Sequence, residues 1–135
     1  MASSLIQPSL FLRRVLWADA MVSAAVGALM ALGADALQDL LGLSAPLLML
    51  AGVALFPYAA YLAWLTTRSA VPRAAVWVPI VSNVVWAANC AIVMFAAGLN
   101  PTWLGRAFIA VQIVTVLLFA ELEFIGLRRT PTLAH

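Results

Sequence analysis

Carboxyl groups are the side chains of this sequence best suited to chemistry, and three of them lie inside long apolar stretches: Asp19, Glu121 and Glu123. An ionisable side chain within a membrane span is costly and is by default a candidate functional residue. Such groups can bind a proton or a cation, or act as a general acid or base on a lipid. The sequence therefore points to chemistry inside an apolar environment.

Polar and aromatic side chains occur at a similar depth in the other apolar stretches. Tyr58 and Tyr61 occur in the second stretch and Asn83 in the third, where Trp86 follows on the same helical face. In a bundle of four helices, a tyrosine and Asn83 would meet Asp19 and one glutamate below the cytoplasmic surface. We predict that these residues form a ligand- or ion-binding cluster, with Trp86 either lining a cavity beside it or packing in the core.

The two glutamates cannot both face the interior of the bundle, because residues two apart on a helix point about 200° apart. Glu123 shares a helical stripe with Gln112, Thr115 and Phe119, which favours Glu123 as the inward residue. Glu121 is deeper in the apolar stretch and is therefore harder to leave facing lipid. On depth, we predict Glu121 as the inward residue and keep Glu123 as the alternative.

A purely structural role is the alternative for all of these polar side chains. Asp19 could reach toward the bilayer surface and pair with an arginine at a helix end. The glutamates could pair with Arg128, and Asn83 and Gln112 could form hydrogen bonds between helices. The cluster would then hold the helices together without binding a ligand.

Composition identifies the class of protein that contains these residues. The chain has 135 residues, 66% of them hydrophobic and only 9% charged, with a mean hydropathy of +1.09. These values exclude a soluble enzyme, a disordered chain and a nucleic-acid-binding protein. The chain has no lysine, one cysteine (Cys90) and one histidine (His135), so we expect no Schiff-base cofactor, haem or thiol relay.

Four apolar stretches are long enough to cross a bilayer as helices. Short connections make consecutive spans antiparallel, so the predicted fold is an all-α, antiparallel four-helix transmembrane bundle with short loops, in one domain covering 1–135. Pro46 and Pro72 stand at or just before helix starts, and Thr102 is a candidate N-cap. The predicted spans are 10–32, 46–67, 74–98 and 102–127.

Three further features refine this architecture. The connection 35–43 reads either as an amphipathic helix at the membrane surface or as a leucine-rich loop. Pro57 and Pro79 fall inside spans, where each removes a backbone donor and can kink the helix. Small residues four apart, beginning with Ser23 and Gly27, allow close helix approach within the bundle or between two copies.

The arginines predict the orientation in the membrane. Six of the seven flank one side of the predicted bundle, and only Arg106 falls on the other, with Asp35 and Asp39. Because cytoplasmic loops carry the excess of positive charge, we expect both termini in the cytoplasm and the bundle in the inner membrane of a bacterium.

Several short motifs resemble those of small bacterial four-helix membrane proteins. The resemblance covers most of the chain and implies an architecture without implying an activity. The motifs are Leu12-Arg13-Arg14 with Asp19, Pro57-Tyr58-Ala59, Asn83-x-x-Trp86, and Ala120-Glu121-Leu122-Glu123 with Gly126-Leu127-Arg128-Arg129.

Three functions fit these observations. The first is a small binding or accessory protein that packs in a homo-oligomer or a larger membrane complex and holds a lipid or apolar molecule near its cytoplasmic side. The second is a transporter or channel in which Asp19 and Glu121 or Glu123 bind a proton or cation. The third is an intramembrane enzyme acting on a lipid, which ranks last because the sequence shows no internal histidine or activated nucleophile.

Overall fold

A computed structural model describes residues 5–95 and 99–133 of the chain. Within these residues the fold is all-α with four long apolar helices, which confirms the predicted fold class. The elements in chain order are β1 (Leu5–Ile6), α1 (Leu10–Leu32), α2 (Ala34–Leu41), α3 (Ala45–Thr67), β2 (Val71–Pro72), α4 (Arg73–Phe95) and α5 (Trp103–Arg128).

Local sequence signals explain where the helices begin and end. Ser9, Ser44 and Thr102 each accept a hydrogen bond from the backbone N–H three residues later, which satisfies one free donor at the start of α1, α3 and α5. Pro46 lies in the first turn of α3, where its missing N–H removes no helical bond. Gly42 ends α2 with φ of 70°, a left-handed conformation that a residue without Cβ adopts readily.

The long helices start within one residue of the predicted spans. α1 covers 10–32 as predicted, α3 and α4 begin one residue earlier, and α5 begins one residue later. The end of the third predicted span, 96–98, lies outside the described residues. The connection 35–43, for which the sequence allowed either a helix or a loop, contains most of the helix α2.

Two features of the long helices fit a multi-pass membrane protein. Each is long and apolar enough to cross a bilayer. Large apolar side chains also remain exposed on the outside of the bundle, among them Trp17, Leu50, Ile92 and Val111. A soluble protein rarely presents so much apolar surface, whereas lipid chains would cover it.

The helices pack as two pairs, α1 against α3 and α4 against α5, while α3 and α4 touch each other little. α1 and α3 approach so closely that a Cβ atom built on Gly27 would lie 2.8 Å from the Gly52 carbonyl oxygen. A Cβ atom on Gly52 would lie 2.7 Å from the Ala31 backbone nitrogen. The small-residue stripe of α1 therefore packs inside the bundle.

One end of the bundle is closed by backbone pairing and buried apolar side chains. β1 pairs with β2, and the backbone N–H of Leu133 donates to the Leu5 carbonyl at 2.8 Å. Ile6 and Val71 are buried beneath this small sheet. Residues 5–9, the connection between α3 and α4, and residues 129–133 therefore meet at the same end.

Arginine side chains tie the helices together at that end. Arg13 on α1 donates to the carbonyl oxygens of Thr66 at 2.6 Å and Arg68 at 2.9 Å. Arg73 on α4 donates to the Leu127 carbonyl at 3.1 Å. These bonds satisfy carbonyl groups at the ends of α3 and α5, which have no partner within their own helix.

α2 joins the helices at the opposite end. The Gln38 side-chain oxygen accepts from the Ala45 N–H at 3.3 Å, at the start of α3. Thr102 donates its backbone N–H to the Leu41 carbonyl at 3.0 Å and its hydroxyl to the Leu40 carbonyl at 2.7 Å. The starts of α3 and α5 are therefore both attached to α2.

Candidate functional site

Asp19, Asn83 and Glu123 bring three helices together in the interior of the bundle. The Asn83 amide nitrogen lies 3.0 Å from Asp19 Oδ2 and 3.1 Å from Glu123 Oε1, so one amide donates to both carboxyl groups. Asp19 is 1% exposed, Asn83 3% and Glu123 0%. The predicted meeting of an acid on α1, the amide on α4 and an acid on α5 is present in the structure.

Two hydroxyl groups complete the site. Tyr58 on α3 donates to Asp19 Oδ2 at 2.8 Å, and Ser23, one turn along α1, donates to Asp19 Oδ1 at 3.1 Å. We call Asp19, Ser23, Tyr58, Asn83 and Glu123 the polar cluster. All four long helices contribute to it, which is the arrangement that similar depth along the four stretches predicts.

Glu123 is the glutamate that enters the cluster, and the preference for Glu121 was wrong. Glu121 is exposed on the opposite side of α5. The polar stripe through Gln112 and Glu123 decides the helix rotation, because Gln112 also faces inward and accepts a hydrogen bond from Trp86. Depth was the weaker argument, since a glutamate about two turns from the end of α5 can lie on the outer surface of the bundle and extend toward the bilayer surface.

The polar cluster is not held by pairing with arginine. Every hydrogen bond that the structure gives the two carboxyl groups comes from a neutral hydroxyl or amide donor. Arg13 and Arg73 lie at the end of the bundle where β1 and β2 pair, which we call the arginine-rich end. Both donate to backbone carbonyl groups instead. The alternative in which Asp19 or the glutamates pair with arginines is therefore not seen among the hydrogen bonds of the described residues.

The Glu123 carboxyl group has fewer hydrogen-bond partners than the Asp19 carboxyl group. Asp19 accepts three hydrogen bonds, whereas Glu123 accepts one, on Oε1. Glu123 Oε2 is the buried side-chain oxygen without a hydrogen-bond partner in the described part of the chain. The Asp19 and Glu123 carboxyl groups are neighbours, because both accept a hydrogen bond from the same Asn83 amide nitrogen.

Tyr61 does not belong to the polar cluster, although it was a candidate for it. Its hydroxyl donates to the Ala75 carbonyl oxygen at 2.7 Å. Pro79, four residues later on α4, has no N–H to donate to that carbonyl. Tyr61 therefore satisfies the backbone acceptor that the proline leaves free, and α4 continues through Pro79 as a helix.

Trp86 lies beside the polar cluster and is held in place by Gln112. Its indole N–H donates to the Gln112 side-chain oxygen at 2.9 Å. Ser23 and Gln112 were not candidate site residues, although their spacing places each on the face of a residue that was: Ser23 four after Asp19, and Gln112 on the stripe of Glu123. Helical spacing was the signal that could have identified both.

Two cavities adjoin these residues. A proximal cavity of about 240 Å³ is lined by Ser23, Tyr58 and Asn83 of the polar cluster, together with Ala54 and Trp86. A distal cavity of about 370 Å³ shares Ala54 and Trp86 as wall residues and extends away from the cluster. The rest of its lining is mainly apolar, including Met30, Leu48, Ala51, Cys90, Val93 and Phe108.

The distal cavity opens sideways between α3 and α4. Leu50 on α3 and Ile92 on α4 line it and are 72% and 61% exposed. The opening follows from the packing of the helices in pairs, because α3 and α4 leave a cleft where they do not touch. We call the two cavities and this mouth the α3–α4 cleft.

No group of three or more His, Cys, Asp or Glu side chains that could hold a metal occurs within residues 5–95 and 99–133. Comparison with known proteins gives no further guide, since no family model, no curated protein and no solved structure matches the chain.

Proposed function

We propose that the protein is a small membrane protein that binds a single-chain amphipathic molecule in the α3–α4 cleft. The apolar chain occupies the distal cavity, and the polar end lies in the proximal cavity against Ser23, Tyr58 and Asn83. The observation that supports this proposal most directly is the continuity of lining residues from an exposed apolar mouth to a buried polar cluster.

The size of the cleft suits such a ligand. The distal cavity, at about 370 Å³, falls within the range of roughly 300–1,000 Å³ usual for small-molecule sites. From Asn83 to Val93, both wall residues, α4 advances about 15 Å at 1.5 Å per residue. Adjoining cavities that follow a helix over this length suit an extended hydrocarbon chain.

The mouth of the cleft supports access from the bilayer. Its rim residues Leu50 and Ile92 are apolar and belong to helices long enough to span a membrane. A ligand dissolved among lipid chains could enter between α3 and α4 without crossing water. The polar cluster then provides the specificity, because an apolar chain alone would gain little by leaving a lipid environment that is equally apolar.

Photolabelling tests this function in the intact protein. A long-chain alcohol with a diazirine in its tail is added to protein reconstituted in nanodiscs, irradiated, and its attachment sites are mapped by mass spectrometry. We expect labels on the distal-cavity segments of α3 and α4. Ala54 lines both cavities, so Ala54→Trp places a large side chain in the space that the probe would occupy. This variant should lose the labelling in the cleft.

Ala60→Trp is the matched control, because Ala60 lies exposed on the same helix and lines neither cavity. It should be labelled in the cleft as the wild type is. Labels scattered over the lipid-facing surface, and equal in both variants, would overturn the proposed function.

Association with a further copy or with a larger membrane complex is a separate part of the proposal. The exposed apolar faces of α4 and α5 could pack against another span, whereas the small-residue stripe of α1 is already used against α3. Native mass spectrometry of gently extracted protein tests this: a second polypeptide in fixed ratio indicates an accessory subunit, a multiple of the chain mass indicates a homo-oligomer, and the chain mass alone contradicts both.

A further inference from the structure

The hydrogen bonds of the polar cluster do not explain how two buried carboxyl groups lie together without a positive charge. Asp19 and Glu123 are both buried, both bound to the same Asn83 amide, and close to each other. All of their donors are neutral. Two negative charges that share one donor inside an apolar bundle are strongly unfavourable unless a positive charge joins them.

A single proton resolves this arrangement in the unliganded protein. Asp19 accepts three hydrogen bonds and is the better stabilised carboxylate. Glu123 Oε2 is buried without a partner as an acceptor, and a proton would turn it into a donor in the neighbourhood of the Asp19 carboxylate. The proton therefore belongs on Glu123, and the cluster keeps one negative charge.

That remaining charge lies beside a cavity that can hold a cation. The proximal cavity is lined by Tyr58 and Asn83, which bond to Asp19, and by the indole ring of Trp86. Aromatic rings next to a carboxylate form a favourable environment for an ammonium group, which they attract through their π faces. A neutral head group carries no positive charge and could not take the place of the proton.

We propose that the polar end of the ligand is an ammonium group, and that it exchanges with the proton shared by Asp19 and Glu123. This inference rests on the proposed function, since the distal cavity must take the apolar chain of the same molecule. On binding, the ammonium group brings one positive charge into the proximal cavity, and Glu123 releases its proton to water. The total charge of the site is the same before and after the exchange.

The exchange depends on few titratable groups. α1 and α5 supply the two carboxyl groups, and α3 supplies Tyr58, whose hydroxyl bonds to Asp19. α4 supplies Asn83, which does not titrate, and Arg13 and Arg73 are bonded to backbone carbonyls at the arginine-rich end. A pH dependence of binding would therefore report on the Asp19–Glu123 pair.

The decisive experiment uses a permanent cation, so that the ligand itself cannot titrate. Decyltrimethylammonium is added to the full chain in weakly buffered nanodiscs, while binding and proton release are measured together, with decanol as the uncharged comparison. We expect tighter binding of the cation than of decanol and one proton released per cation bound. Its affinity should rise by about tenfold per pH unit while Glu123 remains protonated in the free protein.

Variants separate the roles of the two carboxyl groups. Glu123→Gln should bind the cation without proton release and lose the pH dependence. Asp19→Asn should lose the preference for the cation over decanol. Glu121→Gln is the matched control on the same helix, where the exposed glutamate takes no part in the cluster, and should behave as the wild type.

A measurement on the unliganded protein remains decisive even where a variant fails to fold. Infrared difference spectra should show the carbonyl stretch of a protonated carboxyl group at neutral pH in the wild type and in Glu121→Gln. Addition of decyltrimethylammonium should remove that band. A spectrum with carboxylate bands only would overturn the inference.

The outcomes also distinguish this inference from the proposed function. Decanol bound as tightly as the cation, with no proton released and with sensitivity to Ala54→Trp, would overturn the exchange and leave the cleft as a site for neutral amphiphiles. Failure of both probes to bind in the cleft would overturn the exchange and the proposed function together.

Discussion

Asn83 shows how much of the bundle interior depends on one side chain. Its amide nitrogen carries two hydrogens and donates to carboxyl groups on two different helices. An alanine at this position would leave both acceptors without that donor in a buried, water-poor place. The residue therefore links the two helix pairs, α1–α3 and α4–α5, through a polar contact.

We predict that Asn83→Ala lowers the free energy of unfolding by about 1–3 kcal/mol, because buried acceptors lose their partner. Reversible unfolding in mixed micelles, followed by circular dichroism, measures the change. Asn89→Ala on the exposed side of the same helix is the control and should stay within about 0.5 kcal/mol of the wild type. Equal effects in the two variants would contradict the bridging role.

The hydrogen bond from Tyr61 to the carbonyl group that Pro79 leaves free gives a second prediction. Tyr61→Phe should cost about 1 kcal/mol, because the Ala75 carbonyl loses its donor. In a Pro79→Ala background the helix supplies its own N–H, so the same change should cost little. A double-mutant cycle on unfolding free energies measures the coupling, and a cost of Tyr61→Phe that is independent of residue 79 would contradict the explanation.

Among the helices, close contact at Gly27 and Gly52 decides how near α1 and α3 lie to each other within their pair. We predict that Gly27→Ala destabilises the protein by about 1–3 kcal/mol, because the added Cβ would meet the backbone of Gly52. That cost exceeds the gain of roughly 0.5–1 kcal/mol that alanine normally brings to a helix. Ala25→Val, on the exposed side of α1, is the control for the same unfolding assay.

The helices were predictable because their signals are local. About twenty apolar residues define each long helix without reference to the rest of the chain. Serine or threonine caps mark the starts of α1, α3 and α5, and an early proline also marks the start of α3. The meeting of Asp19 and Asn83 with a glutamate of α5 was predictable from depth along the helices. The rotation of α5 was harder to predict, because depth in the apolar stretch favoured Glu121 as the inward residue and the polar stripe favoured Glu123.

The α3–α4 cleft could not be predicted from the sequence. In a soluble protein, polar residues mark the outside of a helix and show which neighbours it packs against. In these helices the lipid-facing and protein-facing sides are both apolar, so Leu50 on the rim and Leu48 in the core read alike. Pairing of α1 with α3 depends on glycine contacts that become visible only when the helices are placed together.

At the scale of the whole molecule, the two ends of the bundle differ in charge. Six arginines belong to the end where β1 and β2 pair, and Arg106 lies at the other end with Asp35 and Asp39 of α2. Since positively charged segments stay on the cytoplasmic side, this asymmetry predicts a single orientation. The predicted cytoplasmic end is the one that holds residues 5–9 and 129–133.

Single cysteines test the orientation after Cys90→Ala has removed the natural thiol. Asp39→Cys should react with a membrane-impermeant maleimide on intact cells, and Ser69→Cys only after permeabilisation, because the two exposed positions lie at opposite ends. The reverse result would place the arginine-rich end outside, and equal labelling of both from outside would indicate two orientations.

The bond network at the arginine-rich end implies an order of events during biosynthesis. Arg73 donates to carbonyl groups of Leu127 and Thr130, and the latter lies 57 positions later in the chain. At translation rates of about 5–20 residues per second, the guanidinium waits roughly 3–11 s for that acceptor to be made. Until then the Arg73 guanidinium lacks both of these carbonyl partners, and water or lipid head groups solvate it instead. Formation of these hydrogen bonds is therefore a late step, because Leu127 and Thr130 are synthesised well after Arg73.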